Sequence, residues 1–155
     1  VKLVVATVGK SRAPWADDAV AEWTRRLRGW GGLDADVVKQ EPFKGDVDAV
    51  RHAESDRLIA RLGPRDRLVA LDERGVDVTT EQFAKILIDA RDQAVSRLVF
   101  AIGGAYGHHE SLRARAHKVV RLSALVLNHE VARVVLVEQI YRATSLVDGS
   151  PYHHE

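Results

Sequence analysis

Residues 97–110 read RLVFAIGGAYGHHE, and the parsing of this stretch decides the fold. Arg97 to Ile102 is a short, nearly continuous apolar run, the pattern of a strand buried on both faces. Gly103, Gly104 and Gly107 follow, and a short helix is expected near SLRARA, 111–116. A buried strand that breaks into glycines and then into a helix belongs to a sheet of alternating strands and helices.

Working outward, the same pattern recurs. KLVVATV (2–8), ended by Gly9, reads as a first strand, LDADVVKQ (33–40) as a second, DRLVAL (66–71) as a third and KVVRLS (118–123) as a fifth. DERGVDV (72–78) reads as the loop after strand three. Helices are expected over 13–30, where Val20, Trp23 and Leu27 keep helical spacing, and over 46–63, with Asp46 as cap and Gly63–Pro64 as stop. TTEQFAKILIDARDQAV opens with Thr79 or Thr80 as N-cap and places Phe83, Ile86, Leu87 and Ala90 on one stripe. NHEVARVVLVEQIYRAT (128–144) reads as a final helix of about four turns. The class is α/β with a largely parallel sheet, in a single domain over residues 1–155.

Composition narrows the partners. The chain is 46% hydrophobic and 29% charged, and no apolar run approaches the roughly 20 residues of a membrane span. No cleavage-type segment follows the first strand, so a soluble, cytoplasmic protein with no membrane partner is expected. The absence of cysteine excludes disulfides, thiolate nucleophiles and sulfur-built zinc sites. A net charge of +1 argues against a general binder of naked nucleic acid. Histidine is the asymmetric residue: six of the seven fall between His108 and His154.

Ligands of open α/β sheets bind outside the carboxyl ends of the strands. Three segments qualify: LDERG (71–75), IGGAYGHH (102–109) and LSALVLNH (122–129). GGAYG is neither GxGxxG nor a P-loop, so a ligand without phosphates is favoured. A tight strand-to-helix turn accounts for the glycines equally well. Leu122 to Leu127 carries Ser123 as its only side-chain hydrogen-bonding group; it either walls an adenine with its free backbone groups or extends strand five. No G-x-S-x-G elbow exists. A metal reading through His108, His109, His129, His153 and His154 lacks helical i, i+4 histidine spacing, and no metal is expected. Glu138 and Arg142 stand as i, i+4 neighbours, a surface ion pair unless Arg133 or Arg142 leaves the helix to hold a phosphate. The VARVVLV run (131–137) is apolar almost all round, which calls for cover on every side: a second copy of the chain, or the domain's own loops.

LDERG, FAIGGAYGHH, RLSALVLNHEVARVVLVEQIYRA and the terminal SPYHHE stand in the order and spacing of a known family. Over its whole length the chain resembles the ribosomal RNA large subunit methyltransferase H family, pseudouridine N3-methyltransferases of 23S rRNA within the SPOUT superfamily. The resemblance implies a SPOUT-type α/β-knot: a mostly parallel sheet, helices on both faces and a C-terminal trefoil knot, against the general rule that chains do not knot. It implies a homodimer and S-adenosyl-L-methionine as methyl donor, held by Leu71, Gly103, Gly104, Leu122, Ser123, Ala124, Leu125, Val126 and Leu127. The substrate implied is 23S rRNA, on the assembled ribosome. His129, Arg142, Tyr152 and His153 are the implied catalytic candidates, the tail reaching the substrate side of a pocket, in a dimer the partner's pocket. Lys2, Lys10, Arg12, Arg113, Arg115 and Lys118 are the candidate phosphate-facing patch. This chain departs from many relatives in carrying Asn128, not proline, before the histidine of the last helix. A module that binds S-adenosylmethionine or another adenine ligand without catalysis is the competing reading, and a histidine-metal hydrolase a more distant one.

Overall fold

The five apolar runs become strands of one sheet in the computed structural model, which describes residues 1–154. Among these the order is β1 (Lys2–Val8), α1 (Pro14–Arg26), β2 (Asp34–Val38), α2 (Val47–Ala60), β3 (Arg67–Asp77), α3 (Thr80–Asp92), β4 (Arg97–Ile102), α4 (Glu110–Arg115), β5 (Lys118–Arg121) and α5 (His129–Asp148). A single 3-10 turn at Arg28–Trp30 follows α1. All strand pairs are parallel, in the order β2-β1-β4-β3-β5.

Alternation of side chains along each strand divides the core in two. Leu3, Val5, Val69, Leu71, Leu98, Phe100 and Ile102 face one layer with α3 and α5, against which Trp23 and Val20 of α1 pack. Val4, Ala6, Leu68, Ala70, Val99 and Ala101 face the other, with Leu58 of α2 and Leu112 of α4. Phe100 is the hub: its backbone is in register with Val5 on one side and Val69 on the other, and its ring stacks on Phe83 with centroids 5.5 Å apart. Truncating it to alanine is expected to destabilise the fold by about 3–5 kcal/mol.

Helix starts follow local chemistry. Asp46 accepts from the N–H groups of Asp48 and Ala49, and Thr79 with Gln82 forms a full capping box. Asn128 caps α5 by accepting from the N–H of Glu130, so the departure from proline preserves a defined helix start.

Several boundaries differ from the sequence reading, among them α1, which ends at Arg26, and β5, which ends at Arg121; two others have a specific cause. β3 does not end at Leu71; after an irregularity at 72–75 it pairs again with β5 through Val76 and Asp77. Gly75 makes this possible, because a Cβ there would lie 2.6 Å from the Val120 carbonyl carbon. α5 runs 20 residues, past the expected end at Thr144. Thr144 and Ser145 do not break it, since their hydroxyls donate back to the carbonyls of Tyr141 and Arg142. Gly149 ends the helix in the left-handed conformation, φ 73°.

α5 packs on α1 and α3 and buries Leu136, Val137, Ile140 and Ala143 completely. Val134 and Val135 are only half-buried and Val131 is exposed, so the chain itself covers one side of this apolar helix. Parallel strands bring all the carboxyl ends to one edge. The segments 9–13, 72–75, 103–109 and 122–128 gather there.

Candidate active site

A cavity of about 360 Å³ opens at that edge. Leu71 and Asp72 leave β3 into it, Ile102 and Gly104 to Gly107 bring the β4 turn, and Leu122, Ser123 and Leu125 to Leu127 form the facing wall. His129 and Ala132, at the start of α5, close one side. Its size and mixed lining fall in the range of small-molecule sites.

The glycines have separate duties. Gly103 packs beneath the turn, where a Cβ would lie 2.8 Å from the Gly107 carbonyl carbon. Gly104 has the Oε1 atom of Glu54 at 2.8 Å from the same notional position, and its carbonyl accepts from the N–H of Gly107. Gly107 takes φ +78°, the left-handed region that closes the turn. Glu54 is itself buried; desolvation raises its pKa, against the backbone N–H of Glu41 that donates to Oε2.

The segment 122–127 does not extend β5, which stops at Arg121. The Ser123 hydroxyl accepts from the N–H of Leu125 at 2.9 Å and bends the chain. Leu125 and Val126 are left 77% and 83% exposed. Of the nine residues expected at a cofactor, Leu71, Gly104, Leu122, Ser123, Leu125, Val126 and Leu127 line the cavity. Gly103 and Ala124 are not among the lining residues.

Buried charge stiffens the floor. Asp72 is almost fully covered and is met by Arg113 Nη1 at 3.3 Å, and Arg113 also donates to the carbonyl of His108. His108 lies within hydrogen-bond reach of the Ala101 carbonyl through Nε2, and burial holds its pKa below the ordinary value, so it is a neutral structural residue. His109 caps α4 by accepting from the N–H of Ser111. Among the described residues no group of three or more His, Asp or Glu side chains is placed to share a metal ion.

The four catalytic candidates separate. His129 is exposed beside the cavity. Arg142 lies 13 residues further along the same helix, roughly 20 Å away at 1.5 Å per residue. There it meets the other two. Arg142 donates through Nε and Nη2 to Glu138, at 3.0 and 2.6 Å, and stands 3.2 Å from Nδ1 of His153. The Tyr152 hydroxyl donates to the same Glu138 oxygen at 3.1 Å, and His153 Nε2 lies 3.4 Å from Glu81. Tyr141 packs edge-on to Tyr152 and is stacked with Trp23, so the tail is clamped by aromatic rings. Burial and the Glu138 carboxylate raise the Tyr152 pKa, and Glu138 raises that of Arg142. Tyr152 therefore stays a phenol and Arg142 a cation.

Glu138 is the residue the sequence reading underrated. Its i, i+4 spacing to Arg142 was visible, but the convergence of Tyr152 on the same oxygen depends on how the tail folds back. Arg133 is not free to hold a phosphate: it is engaged by Asp17, by Ser11 at 3.0 Å and by Glu130 at 3.2 Å. Within one chain the basic candidates, expected to form a patch across two subunits, are spread over several elements. Lys2 sits at the start of β1 on the Gly31 carbonyl, Lys118 at the start of β5, and Arg113 is spent on Asp72. Lys10 and Arg12 alone of that set line a cavity at the edge where the strands end.

An all-parallel sheet with helices on both faces and a ligand-sized cavity at the strand ends defines a class that comparison with known proteins resolves. The family model described as "Predicted SPOUT methyltransferase" matches residues 1–153, and the chain belongs to that family. It is 43% identical over 155 residues to the "Ribosomal RNA large subunit methyltransferase H" of Geobacter metallireducens, covering 99% of each chain. It is 40% identical over 154 residues to the protein of that name from Trichlorobacter lovleyi, covering 99% of this chain and 100% of the other. A solved structure described as a "Probable Methyltransferase" from Bordetella pertussis superposes with a TM-score of 0.56 at 15% identity, over 92% of this chain and 95% of that one, and shares the fold.

Proposed function

We propose that this methyltransferase takes S-adenosyl-L-methionine as donor and methylates N3 of a pseudouridine in 23S rRNA, working as a cytoplasmic homodimer of single-domain chains on the assembled ribosome. The knot expected of the family is part of the same reading. The observation that carries it is the separation within one chain: a ligand cavity at one end of α5, and an ordered Arg–Tyr–His tail at the other.

The cavity fits the donor. Its 122–127 wall offers apolar side chains to a thioether and backbone groups to an adenine edge, and Arg51, Arg74 and Arg121 also line the cavity. Leu71, Gly104 and the 122–127 segment would hold it. When bound, the donor supplies an activated methyl group whose departure leaves a neutral thioether, so the chemical difficulty lies in the acceptor.

An imide N–H is a poor nucleophile until its proton is lost. His129 borders the cavity and can accept that proton. Arg142, fixed as a cation, favours the deprotonated imide, while Tyr152 and Glu138 hold it in place. For Arg142 to meet an acceptor at a cavity it must come from a second copy. The half-open Val134 and Val135 side of α5 is the natural dimer surface, and a tail delivered from the partner completes each site. The near-neutral net charge supports a substrate recognised by shape on the ribosome, since phosphate neutralisation alone gives this chain little grip.

The test uses purified protein, radiolabelled S-adenosylmethionine and ribosomes from a strain lacking its own copy. Label in 23S rRNA with the full chain, lost when the chain is truncated before Tyr152, is the expected result. Donor binding by calorimetry with no transfer to any ribosomal state would leave a non-catalytic binding module.

A further inference from the structure

A second cavity, of about 440 Å³, shares three lining residues with the first: Gly104, Ala105 and His129. We infer that this second cavity is the acceptor subsite, taking one unstacked nucleotide with its base on the Trp15 indole and its phosphate between Lys10 and Arg12. The inference rests on the methyltransferase reading and says where the RNA enters.

Position is the first argument. An acceptor atom must reach about 3–3.5 Å from the transferred group, so its cavity must adjoin the donor's. Here the two are divided only by the Gly104–Ala105 backbone and the exposed imidazole of His129. A base in the second cavity and a methyl donor in the first meet at that imidazole.

Composition is the second. Trp15 is 57% exposed, unusual for the largest apolar side chain, and it sits on the rim of the cavity. The lining also holds Lys10 and Arg12, which make no ion pair or side-chain hydrogen bond among the described residues. A free aromatic face beside free cations is how single-stranded nucleic acid is held. Gln40 lies on the same wall, and its side-chain amide has no hydrogen-bond partner among the described residues, so it can serve a base edge. Asn128 spends its Oδ1 on the cap of α5 and keeps its amide N–H groups available. The one acidic group in the lining, Glu130, is already engaged by Ser11 and Arg133 and does not repel a phosphate as a free carboxylate would.

Local structure keeps the subsite open. Gly9 turns the chain out of β1 with φ +76°, and Pro14 starts α1 at its first position; between them Lys10 and Arg12 are exposed, while Ser11 is held by Glu130 and Arg133 and Ala13 is buried. Trp15 follows at the second helical position.

The experiment is a steady-state comparison of full-length dimers on ribosomes, with calorimetry of S-adenosylmethionine and light scattering for each variant. Trp15→Ala is expected to raise KM for ribosomes about tenfold or more while the donor Kd and the dimer stay unchanged, and Trp15→Phe to restore most of the loss. Lys10→Gln with Arg12→Gln is expected to raise KM and flatten its dependence on salt. An unchanged KM in Trp15→Ala overturns the inference. So does loss of the dimer, which would make Trp15 an interface residue, or loss of donor binding. If the wild-type chain binds donor and transfers nothing to ribosomes, the methyltransferase reading fails and the subsite fails with it.

Discussion

The two ends of α5 are built on opposite plans. At His129 the helix meets a cavity whose far wall is exposed leucine and valine, with few side-chain hydrogen bonds to hold its shape. At Arg142 the surroundings are a closed set of partners: one carboxylate holds a guanidinium and a phenol, a histidine bridges to Glu81, and the rings of Trp23 and Tyr141 clamp Tyr152 of the tail. The first end is shaped to receive something; the second is already assembled and points to delivery elsewhere. On the proposed reading a single chain carries two half-sites.

The sharpest way to break this comparison is to separate the halves genetically. His129→Ala and a chain truncated before Tyr152 are each expected to lose methyl transfer by about 10²–10⁴-fold. Mixed and re-annealed in equal amounts, the two inactive proteins are expected to regain about a quarter of wild-type activity, because each mixed dimer keeps one intact composite site. Radiolabel incorporation reads it directly; no recovery would overturn the composite site.

At the cavity end, Gly104→Ala drives a Cβ onto the buried Glu54 oxygen 2.8 Å away. It is expected to cost about 1–3 kcal/mol in stability and to weaken donor binding about tenfold, measured by urea melts and calorimetry. At the tail end, Glu138→Gln removes the charge that organises Arg142 and Tyr152. Here kcat should fall about tenfold while donor Kd holds, a split opposite to that of Gly104→Ala.

The smallest effect concerns His108 in the floor. Burial depresses its pKa, so the unfolded chain binds a proton that the native chain refuses once pH drops below about 6.5. Stability is therefore lost as pH falls below that value, by at most about 1.4 kcal/mol per pH unit from this residue, and is unaffected above it. Thermal melts between pH 7.5 and 5 should show a shallower decline for His108→Gln, pH values chosen to bracket that ordinary range.

Much of this was legible in the residues because it depends on local periodicity. The buried strands, a threonine cap at the start of α3 and the Asp46 cap follow from runs, alternation and turn chemistry within a dozen residues. What was not legible depends on distant backbone. Gly75 looks like an ordinary loop glycine until Val120 comes alongside it, and Gly103 looks like a ligand residue until Gly107 fills the space below. The catalytic candidates read as one set because sequence carries no rigid ruler, whereas a helix does: residues 129 and 142 on one α-helix cannot share a site in the same chain. The family resemblance supplied the tail's importance, and no pattern in the residues predicted Glu138 as its anchor.

The strand order also governs how the protein comes off its own ribosome. β3 pairs only with β4 and β5, both of which follow it in the chain. Until residues 97–121 have been translated, the apolar Leu68-Val69-Ala70 segment has no neighbour, and β1 and β2 can offer only a two-stranded ribbon. Parallel pairings between distant segments form slowly and leave sticky edges exposed meanwhile. Sheet completion is therefore expected to wait for β4, and a chain stalled before it to leave unpaired strand edges exposed.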